Sequence, residues 1–183
     1  MPSELTALLQ AASSGDQPAL NRVVALLYVD LRQLATRCKA HHRGNTLETT
    51  GLVHECYMRF VNSGQLEISD RSHFFNLAAR IMRQLLCDYA RERLAEKRGG
   101  DATRVELRNS DAAERHEAAR WLAVDQALEK LGEIRPNQAR VIECRFFGGL
   151  TEQETSEALD RSLRSVQRDW AEARKWLAER LTK

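Results

Sequence analysis

A long polar stretch near the middle of the chain limits the folds that it can adopt. Between Ala95 and Ala118 the only large apolar residues are Val105 and Leu107. A segment this polar cannot bury enough surface to offset the entropy of ordering it, which predicts a flexible linker. On both sides of it, apolar residues recur three or four positions apart, as they do in amphipathic helices. We therefore predict an all-α protein.

The polar stretch divides the chain into two small helical domains, residues 1–98 and 119–183, joined by a linker over residues 99–118. Glycine and proline act as breaks between the helices of each domain. A linker of about twenty residues can span roughly 65 Å when extended. Such a tether would let the two domains hold separate sites at the same time.

The overall charge of the chain does not identify a partner. Lys and Arg number 28 against 26 Asp and Glu, a net charge of +2, so any attraction to nucleic acid must be local. The longest apolar run, from Val23 to Val29, is far too short to span a bilayer. Because the first residues have neither a basic start nor an apolar signal core, we expect a cytoplasmic protein that does not contact a membrane.

The cysteine and histidine residues do not form a recognisable site. The 4 cysteines lie far apart without a C-x-x-C pair, so we predict reduced thiols buried on helix faces. The sequence "CKAHH", from Cys38 to His42, comes nearest to a metal cluster but lacks a second pair of ligands. Without partnered catalytic residues or a Gly-rich phosphate loop, we predict no metal site, no cofactor and no enzymatic activity.

Local signals predict where the helices of the first domain begin and end. Asp16 is a candidate N-cap for a helix that continues to Cys38, and another helix begins near Thr50. Ser72 is the candidate N-cap of a long helix, and the Gly99–Gly100 pair predicts its end.

A helix-turn-helix candidate lies near the C-terminus. Thr151 and Glu154 match a capping box, which predicts that a helix begins there. Ser162 is a candidate N-cap for the following helix, and the sequence "DRS" that ends at Ser162 predicts a tight turn between the two.

The second helix of this pair has two distinct faces. The residues expected to face the core are Leu163, Val166, Trp170, Ala173, Leu177 and Leu181. The opposite face carries Arg164, Gln167, Arg168 and Lys175. Arginine and glutamine suit a recognition helix because they donate hydrogen bonds to base edges and phosphates. The alternative is an ordinary amphipathic pair of helices whose charges are only solvated.

The segment from Leu131 to Leu181 resembles the C-terminal, promoter-binding domain of sigma-70-family factors almost from end to end. In the first half, "TTGLVHECYMRF" is similar to the helix that docks on the polymerase clamp. The sequence "SHFFNLAARIMRQLLCDYARERLAEKRGG" is similar to the helix that opens and reads the upstream edge of the melted promoter. With both motifs in order and a linker between them, the whole chain resembles the extracytoplasmic-function (ECF) group of sigma factors.

The resemblance implies two partners, core RNA polymerase and promoter DNA, and three sets of functional residues. The set expected at the minus-thirty-five element is Arg161, Ser162, Arg164, Ser165, Gln167 and Arg168. The set expected at the minus-ten element is Ser63, Gln65, Asp70, Arg71, His73, Asn76, Arg80 and Arg83. The set expected to dock on core polymerase is Glu48, Leu52, Val53 and Glu55.

The chemistry of the long helix of the first domain agrees with the minus-ten assignment. A polar stripe that can follow a phosphate backbone is expected at Arg80, Arg83, Gln84 and Arg91. The polar loop before the helix can surround a base that has turned out of the stack. Phe74 and Phe75 leave two alternatives open, core packing or stacking on an unpaired base.

Three positions of the helix-turn-helix depart from the family pattern. Asp160 stands in the turn where the family usually has glycine, and aspartate tolerates the left-handed backbone conformation that such a turn needs. Thr155 and Ser156 stand where isoleucine and alanine are usual, so we expect a less apolar core in this domain.

The helix expected to dock on polymerase lacks most of the acids that the family generally carries at its start. Thr50 and Gly51 stand where acids would be, although Glu48 remains. Thr49 or Thr50 is either a simple N-cap or a phosphorylation site that would restore negative charge where the helix dipole favours it. A Ser/Thr kinase would then control the protein in place of the usual anti-sigma factor.

Another class of function fits part of the sequence. In a stand-alone helix-turn-helix regulator, the C-terminal domain would bind DNA and the N-terminal domain would be a sensor or dimerisation unit. An adaptor that only binds a partner helix is a third class.

Overall fold

The computed structural model describes residues 4–40, 48–64, 68–99 and 109–181. Every regular element in these ranges is a helix, which confirms the all-α prediction. The helices are α1 (Glu4–Ser13), α2 (Gln17–Leu26), α3 (Tyr28–Ala40), α4 (Thr49–Ser63), α5 (Arg71–Gly99), α6 (Asn109–Ile134), α7 (Pro136–Ile142), a π-helical segment (Glu143–Phe147), α8 (Glu152–Ala158) and α9 (Leu163–Leu181). In the described ranges, no helix combines the length and the apolar character that crossing a membrane requires.

The first predicted helix is two helices in the structure. Asp16 is the N-cap of α2, as predicted, since its side chain accepts a hydrogen bond from the Ala19 N–H. The helix then breaks at Leu27, and α3 begins at Tyr28. The break lets α2 pack mainly against α1 while α3 packs against α4 and α5. The prediction of one continuous helix was wrong because spacing alone does not reveal that its two parts have different packing partners.

The start of α5 also differs from the prediction. Asp70 caps this helix, accepting a hydrogen bond from the His73 N–H at 2.8 Å, and Ser72 lies inside the first turn. Phe74 and Phe75 are 0% and 7% exposed, and the Phe74 ring stacks on Phe60 with centroids 5.3 Å apart. Core packing is therefore the correct alternative for both phenylalanines.

The N-terminal half (α1 to α5) and the C-terminal half (α6 to α9) pack against each other. α5 contacts α6, the π-helical segment and α8, and α3 contacts the π-helical segment. One hydrophobic cluster includes buried residues of both halves. Residues 109–118, within the predicted linker, form the first turns of α6. The domain limits inferred from the sequence stay a prediction.

A close contact between the halves lies at a glycine. Gly149 has a φ of +66°, and a Cβ atom there would lie 2.8 Å from the Arg37 Cζ of α3. Arg37 Nη2 donates to the Gly148 carbonyl oxygen at 3.3 Å. A residue with a side chain at position 149 would therefore have a strained backbone and would displace the Arg37 guanidinium.

The capping assignment at α5 can be tested by stability measurements. We expect Asp70→Ala to lower the free energy of unfolding by about 1 kcal/mol, because it removes the acceptor for the His73 N–H. Ser72→Ala is the matched control and should change it by less than about 0.5 kcal/mol. Urea denaturation followed by circular dichroism measures both. A larger loss for the serine variant would restore Ser72 as the cap.

Candidate nucleic-acid interface

The two helices α8 and α9 form a capped helix-turn-helix unit. The predicted capping box is confirmed, since Thr151 Oγ1 accepts from the Glu154 N–H and Glu154 Oε2 accepts from the Thr151 N–H. The hydrogen bonds that the Thr151 N–H and the Thr151 hydroxyl donate to Glu154 Oε2 lower the pKa of the Glu154 carboxyl, so their contribution to stability is lost as the pH falls through that lowered pKa. At the second helix, Ser162 Oγ accepts from the Ser165 N–H at 3.3 Å.

The turn between the helices is held by polar side chains. Asp160 adopts the left-handed conformation, with a φ of +48°, which is the conformation expected for this position. Ser156 Oγ donates to the Arg161 carbonyl oxygen across the turn. Thr155 is fully buried, and its hydroxyl donates to the Thr151 carbonyl oxygen at 2.7 Å. Both hydroxyl groups that depart from the family pattern are therefore hydrogen-bonded.

The apolar face of α9 is narrower than predicted. Val166 and Ala173 are fully buried, and Trp170 and Leu177 pack partly buried against the core. Leu163 and Leu181 are instead 39% and 43% exposed. They are the first and last residues of α9, and the expectation that both face the core was wrong.

The opposite face of α9 carries the donors predicted from the sequence. Arg164, Gln167 and Arg168 are all exposed. Gln167 and Arg168 are adjacent in sequence, and both lie about one helical turn after Arg164. Gln167 Nε2 donates to Glu152 Oε2 at 2.8 Å. The other oxygen of Glu152 accepts from Arg145 Nη1 at 2.9 Å.

Glu152 therefore orients Gln167 and is in turn held by Arg145. The Arg145 guanidinium lies over the Trp170 ring, 4.4 Å from its centroid. Sequence reasoning missed both supporting residues. The only sequence signal for them was the acidic residue at the first position of α8. The contacts that join α8, α9 and the π-helical segment depend on the tertiary fold, so the sequence alone does not show them.

Arg161 has a different environment from the other arginines of the predicted set. Arg161 Nη1 is paired with Asp169 Oδ2, and the Asp169 side chain is only 6% exposed. Arg168 approaches the other oxygen of Asp169 at 3.6 Å but is itself 63% exposed. The ion pair of Arg161 thus connects the turn to α9. Ser162 and Ser165 share a hydrogen bond at the helix start.

Four residues of the predicted minus-ten set line one cleft. They are Ser63, His73, Asn76 and Arg80. The cleft has a volume of about 610 Å³, and its opposite wall belongs to the C-terminal half, where it includes Arg140, Glu143, Leu159 and Asp160. The Asn76 Oδ1 atom is buried and has no hydrogen-bond partner among the described residues. The cleft therefore contains polar groups from both halves.

The remaining residues of that set lie elsewhere. Asp70 caps α5, and Arg71 pairs with Asp30 at 2.8 Å, away from the cleft. Gln65 lies outside the described residues. Arg83 is buried, with Asp125 bonded to its Nη1 and Glu143 at 3.2 Å from its Nη2.

The predicted polar stripe of α5 is accordingly divided in the structure. Arg80 and Gln84 are exposed, whereas Arg83 is 5% exposed and lies beneath the C-terminal half. Arg91 is half-exposed and contacts Asp125 at 3.0 Å. The expectation of one continuous exposed stripe was wrong for this arrangement, because Arg83 turns toward carboxylates that are distant in sequence.

The helix predicted to dock on polymerase is α4. Glu48 occupies the N-cap position without a side-chain capping bond, so neither Thr49 nor Thr50 is the N-cap and that interpretation was wrong. Leu52 and Val53 are 0% and 3% exposed, so they hold α4 in the core.

The exposed residues around the start of α4 form a shallow groove. Thr50 is exposed and Thr49 is half-buried, like Glu55 further along the helix. The groove beside Thr50 is lined by Asn21, Val24, Ala25, Tyr28, Val53, His54 and Tyr57. The hydroxyl of Thr50 is therefore accessible at the first turn of a described helix.

A comparison with protein families settles which family this arrangement represents. The model described as ECF sigma factor matches residues 2–183. The chain belongs to the ECF sigma factor family. Its members are transcription initiation factors that bind DNA.

Comparisons with individual proteins add little to this. Among solved structures, the ECF sigma factor is similar to the structure of CnrH in complex with the cytosolic domain of CnrY, at 22% identity and a TM-score of 0.41. The match covers 95% of this chain and 94% of that one. A search of curated proteins found no match.

The role of Arg161 can be separated from that of its neighbours by stability measurements. Arg161→Ala should lower the free energy of unfolding by about 2 kcal/mol, because it leaves the buried Asp169 carboxylate without its main partner. Arg164→Ala, at an exposed position, is the control and should change it by less than about 0.5 kcal/mol.

A double variant completes this test. Arg161→Ala combined with Asp169→Ala should recover part of the loss, since the unpaired charge is gone. If the double variant lost as much free energy of unfolding in urea denaturation as the two single variants together, the ion pair would not hold the turn.

Proposed function

We propose that this ECF sigma factor binds core RNA polymerase and directs promoter-specific transcription initiation. The observation that carries the proposal is the exposed row of hydrogen-bond donors on α9, which comes directly after the stabilised turn of the helix-turn-helix. A recognition helix reads bases with the residues at its N-terminal end. The row lies at that end of α9.

The minus-thirty-five element is bound by α9. Arg164, Gln167 and Arg168 contact base edges or adjacent phosphates, for which their side chains have the required donors. Gln167 reaches DNA from a position set by Glu152. Ser162 and Ser165 at the helix start, together with Arg161, position the helix.

The minus-ten element is bound by the N-terminal half. Ser63, His73, Asn76 and Arg80 supply the contacts to a melted strand, which the polar cleft supports. The unpartnered Asn76 Oδ1 can accept from a base within that cleft. Gln65, Asp70, Arg71 and Arg83 complete the proposed set.

The division of the chain into domains of residues 1–98 and 119–183 around a linker is part of this proposal. The two promoter elements are separate, so the halves must hold DNA at two places. Core polymerase docks on α4, where Glu48 and Glu55 offer charge, and Leu52 and Val53 support the helix from the core.

Run-off transcription with core polymerase and this protein alone tests the proposed function. A sigma factor supplies initiation where core enzyme has none. A stand-alone regulator would be active only when another sigma factor is present, and an adaptor would be inactive in both cases. No transcript from core enzyme across a set of candidate promoters would overturn the proposal.

The α9 contacts make a quantitative prediction for binding to the selected promoter. Arg164→Ala and Arg168→Ala should each weaken binding of the holoenzyme by about 1–3 kcal/mol, and a base-reading arginine should also lose preference at one position. Arg22→Ala is the matched control, because Arg22 is an exposed arginine on α2, paired with Glu4. Unchanged promoter activity in both α9 variants would rule out α9 as the recognition helix.

The start of α4 supports a further part of the proposal, control by phosphorylation at Thr50 or Thr49. The first turn of α4 contains no acidic residue, and its N-cap makes no side-chain capping bond. Phosphate there would add about −1.5 to −2 units of charge at a helix end whose dipole favours an anion. Thr50 is the better candidate, since it is exposed and Thr49 is half-buried.

Affinity for core polymerase tests this control. Kinase-treated protein should bind core enzyme more tightly than unmodified protein and gain run-off activity, and Thr50→Ala should abolish both gains. Thr49→Ala is the control that separates the two sites. Tight binding and full activity of the unmodified protein would eliminate the switch and leave control by an anti-sigma factor as the alternative.

A further inference from the structure

One arginine of α5 is enclosed by residues of the C-terminal half. Arg83 is bonded to Asp125 of α6, and its Nη2 lies 3.2 Å from Glu143 Oε1 in the π-helical segment. The side chains of Arg83 and Asp125 are 6% and 4% exposed. The guanidinium also lies over the Phe147 ring. The charge of Arg83 is therefore neutralised entirely by groups from the other half.

A second arginine of α5 shares one of these carboxylates. Arg91 Nη2 lies 3.0 Å from Asp125 Oδ2, so the two oxygens of Asp125 bind two arginines of the same helix. Guanidinium groups bind carboxylate and phosphate with the same planar set of donors. Asp125 and Glu143 thus offer Arg83 and Arg91 the kind of oxygen that a DNA backbone would offer them.

The same contact contributes one wall of the cleft proposed to hold the minus-ten element. Glu143 forms part of its C-terminal wall, opposite Asn76 and Arg80. The turn of the helix-turn-helix, at Leu159 and Asp160, closes another side of it. A DNA strand that enters the cleft cannot bind Arg83 while the C-terminal half holds this position, because Asp125 and Glu143 already occupy its guanidinium.

We propose that the C-terminal half is a built-in competitor of promoter DNA, in which Asp125 and Glu143 bind Arg83 and Arg91 in place of phosphates. The proposal rests on the minus-ten role of α5 proposed above. The free protein is then in a closed form, and DNA binding to α5 requires an open form in which these ion pairs are broken.

The physical character of the contact suits reversible closure. The desolvation of buried ions offsets much of their attraction, so such pairs contribute little net stability, whereas removing one partner is costly. The ion pairs therefore make the contact specific without adding much to its stability. Arg37, bonded to the Gly148 carbonyl oxygen, and Cys38, whose Sγ lies 3.8 Å from the Phe147 oxygen, add contacts from α3.

Native cysteines report on opening. Cys38 is fully buried next to the Phe147 backbone of the other half, and burial raises the pKa of its thiol to about 12. Cys56 is buried within the N-terminal half, with its Sγ 3.8 Å from the Ala78 oxygen. Separation of the halves should expose Cys38 to alkylation and leave Cys56 protected, whereas unfolding would expose both.

The experiment uses the full chain and measures alkylation of each cysteine by mass spectrometry. In Asp125→Asn/Glu143→Gln, Cys38 should be alkylated faster than in the wild type, with Cys56 unchanged. Glu4→Gln/Glu129→Gln is the matched control, because it removes the same two charges at exposed positions, one of them on α6. The control should behave as the wild type.

A second measurement tests competition directly. Adding a short oligothymidylate to the wild type should accelerate alkylation of Cys38, and the variant should bind this probe more tightly than the control does, by a factor within roughly 5–150. Equal binding by variant and control would overturn the proposal, as would a Cys38 rate that the oligonucleotide does not change.

If the double variant unfolds, both cysteines will react rapidly, and Gly149→Ala then takes its place. That substitution displaces Arg37 and leaves the carboxylates intact, and it should accelerate alkylation of Cys38 alone. An unchanged rate at Cys38 would contradict closure by this interface. These measurements need no polymerase, so a failure in run-off transcription is distinguishable from a failure of the competition.

Discussion

The burial of Arg83 imposes a condition on both halves of this sigma factor. A guanidinium cannot lose its charge in a protein, so a buried arginine needs acceptors that are already in place. Asp125 comes from α6 and Glu143 from the π-helical segment, and both elements must pack on α5 for the charge to be paired. The arrangement of α6 and the π-helical segment against α5 is therefore set by one side chain together with the apolar contacts around it.

The helix-turn-helix unit is stabilised in a similar way on a smaller scale. Its turn contains no glycine, and its core includes a threonine. Hydrogen bonds from Thr155 and Ser156 to backbone oxygens, and the Arg161–Asp169 pair, hold the turn. A rigid turn matters because it fixes the direction in which Arg164 and Arg168 point.

Some features that depend on neighbours in sequence could be predicted, although the caps of α4 and α5 could not. The Asp16 cap, the Thr151–Glu154 box and the cap at Ser162 follow from residues within one turn of each other. The left-handed Asp160 was expected from the resemblance to a family with glycine at that position. Features that depend on distant residues could not. Nothing local indicates that Arg83 rather than Arg80 meets Asp125, or that Glu152 holds Gln167, because these pairs form only when separate helices have packed.

The rigidity of α5 links the behaviour of its arginines. Arg80 and Arg83 are separated by a rise of about 4.5 Å along a single helix, and the core side of that helix is filled by Phe74, Ala78 and Met82, all 0% exposed. The helix cannot rotate to present one arginine without the other. The two arginines therefore keep a fixed spacing, and a single strand that bound both of them would have to displace Asp125 and Glu143 from Arg83.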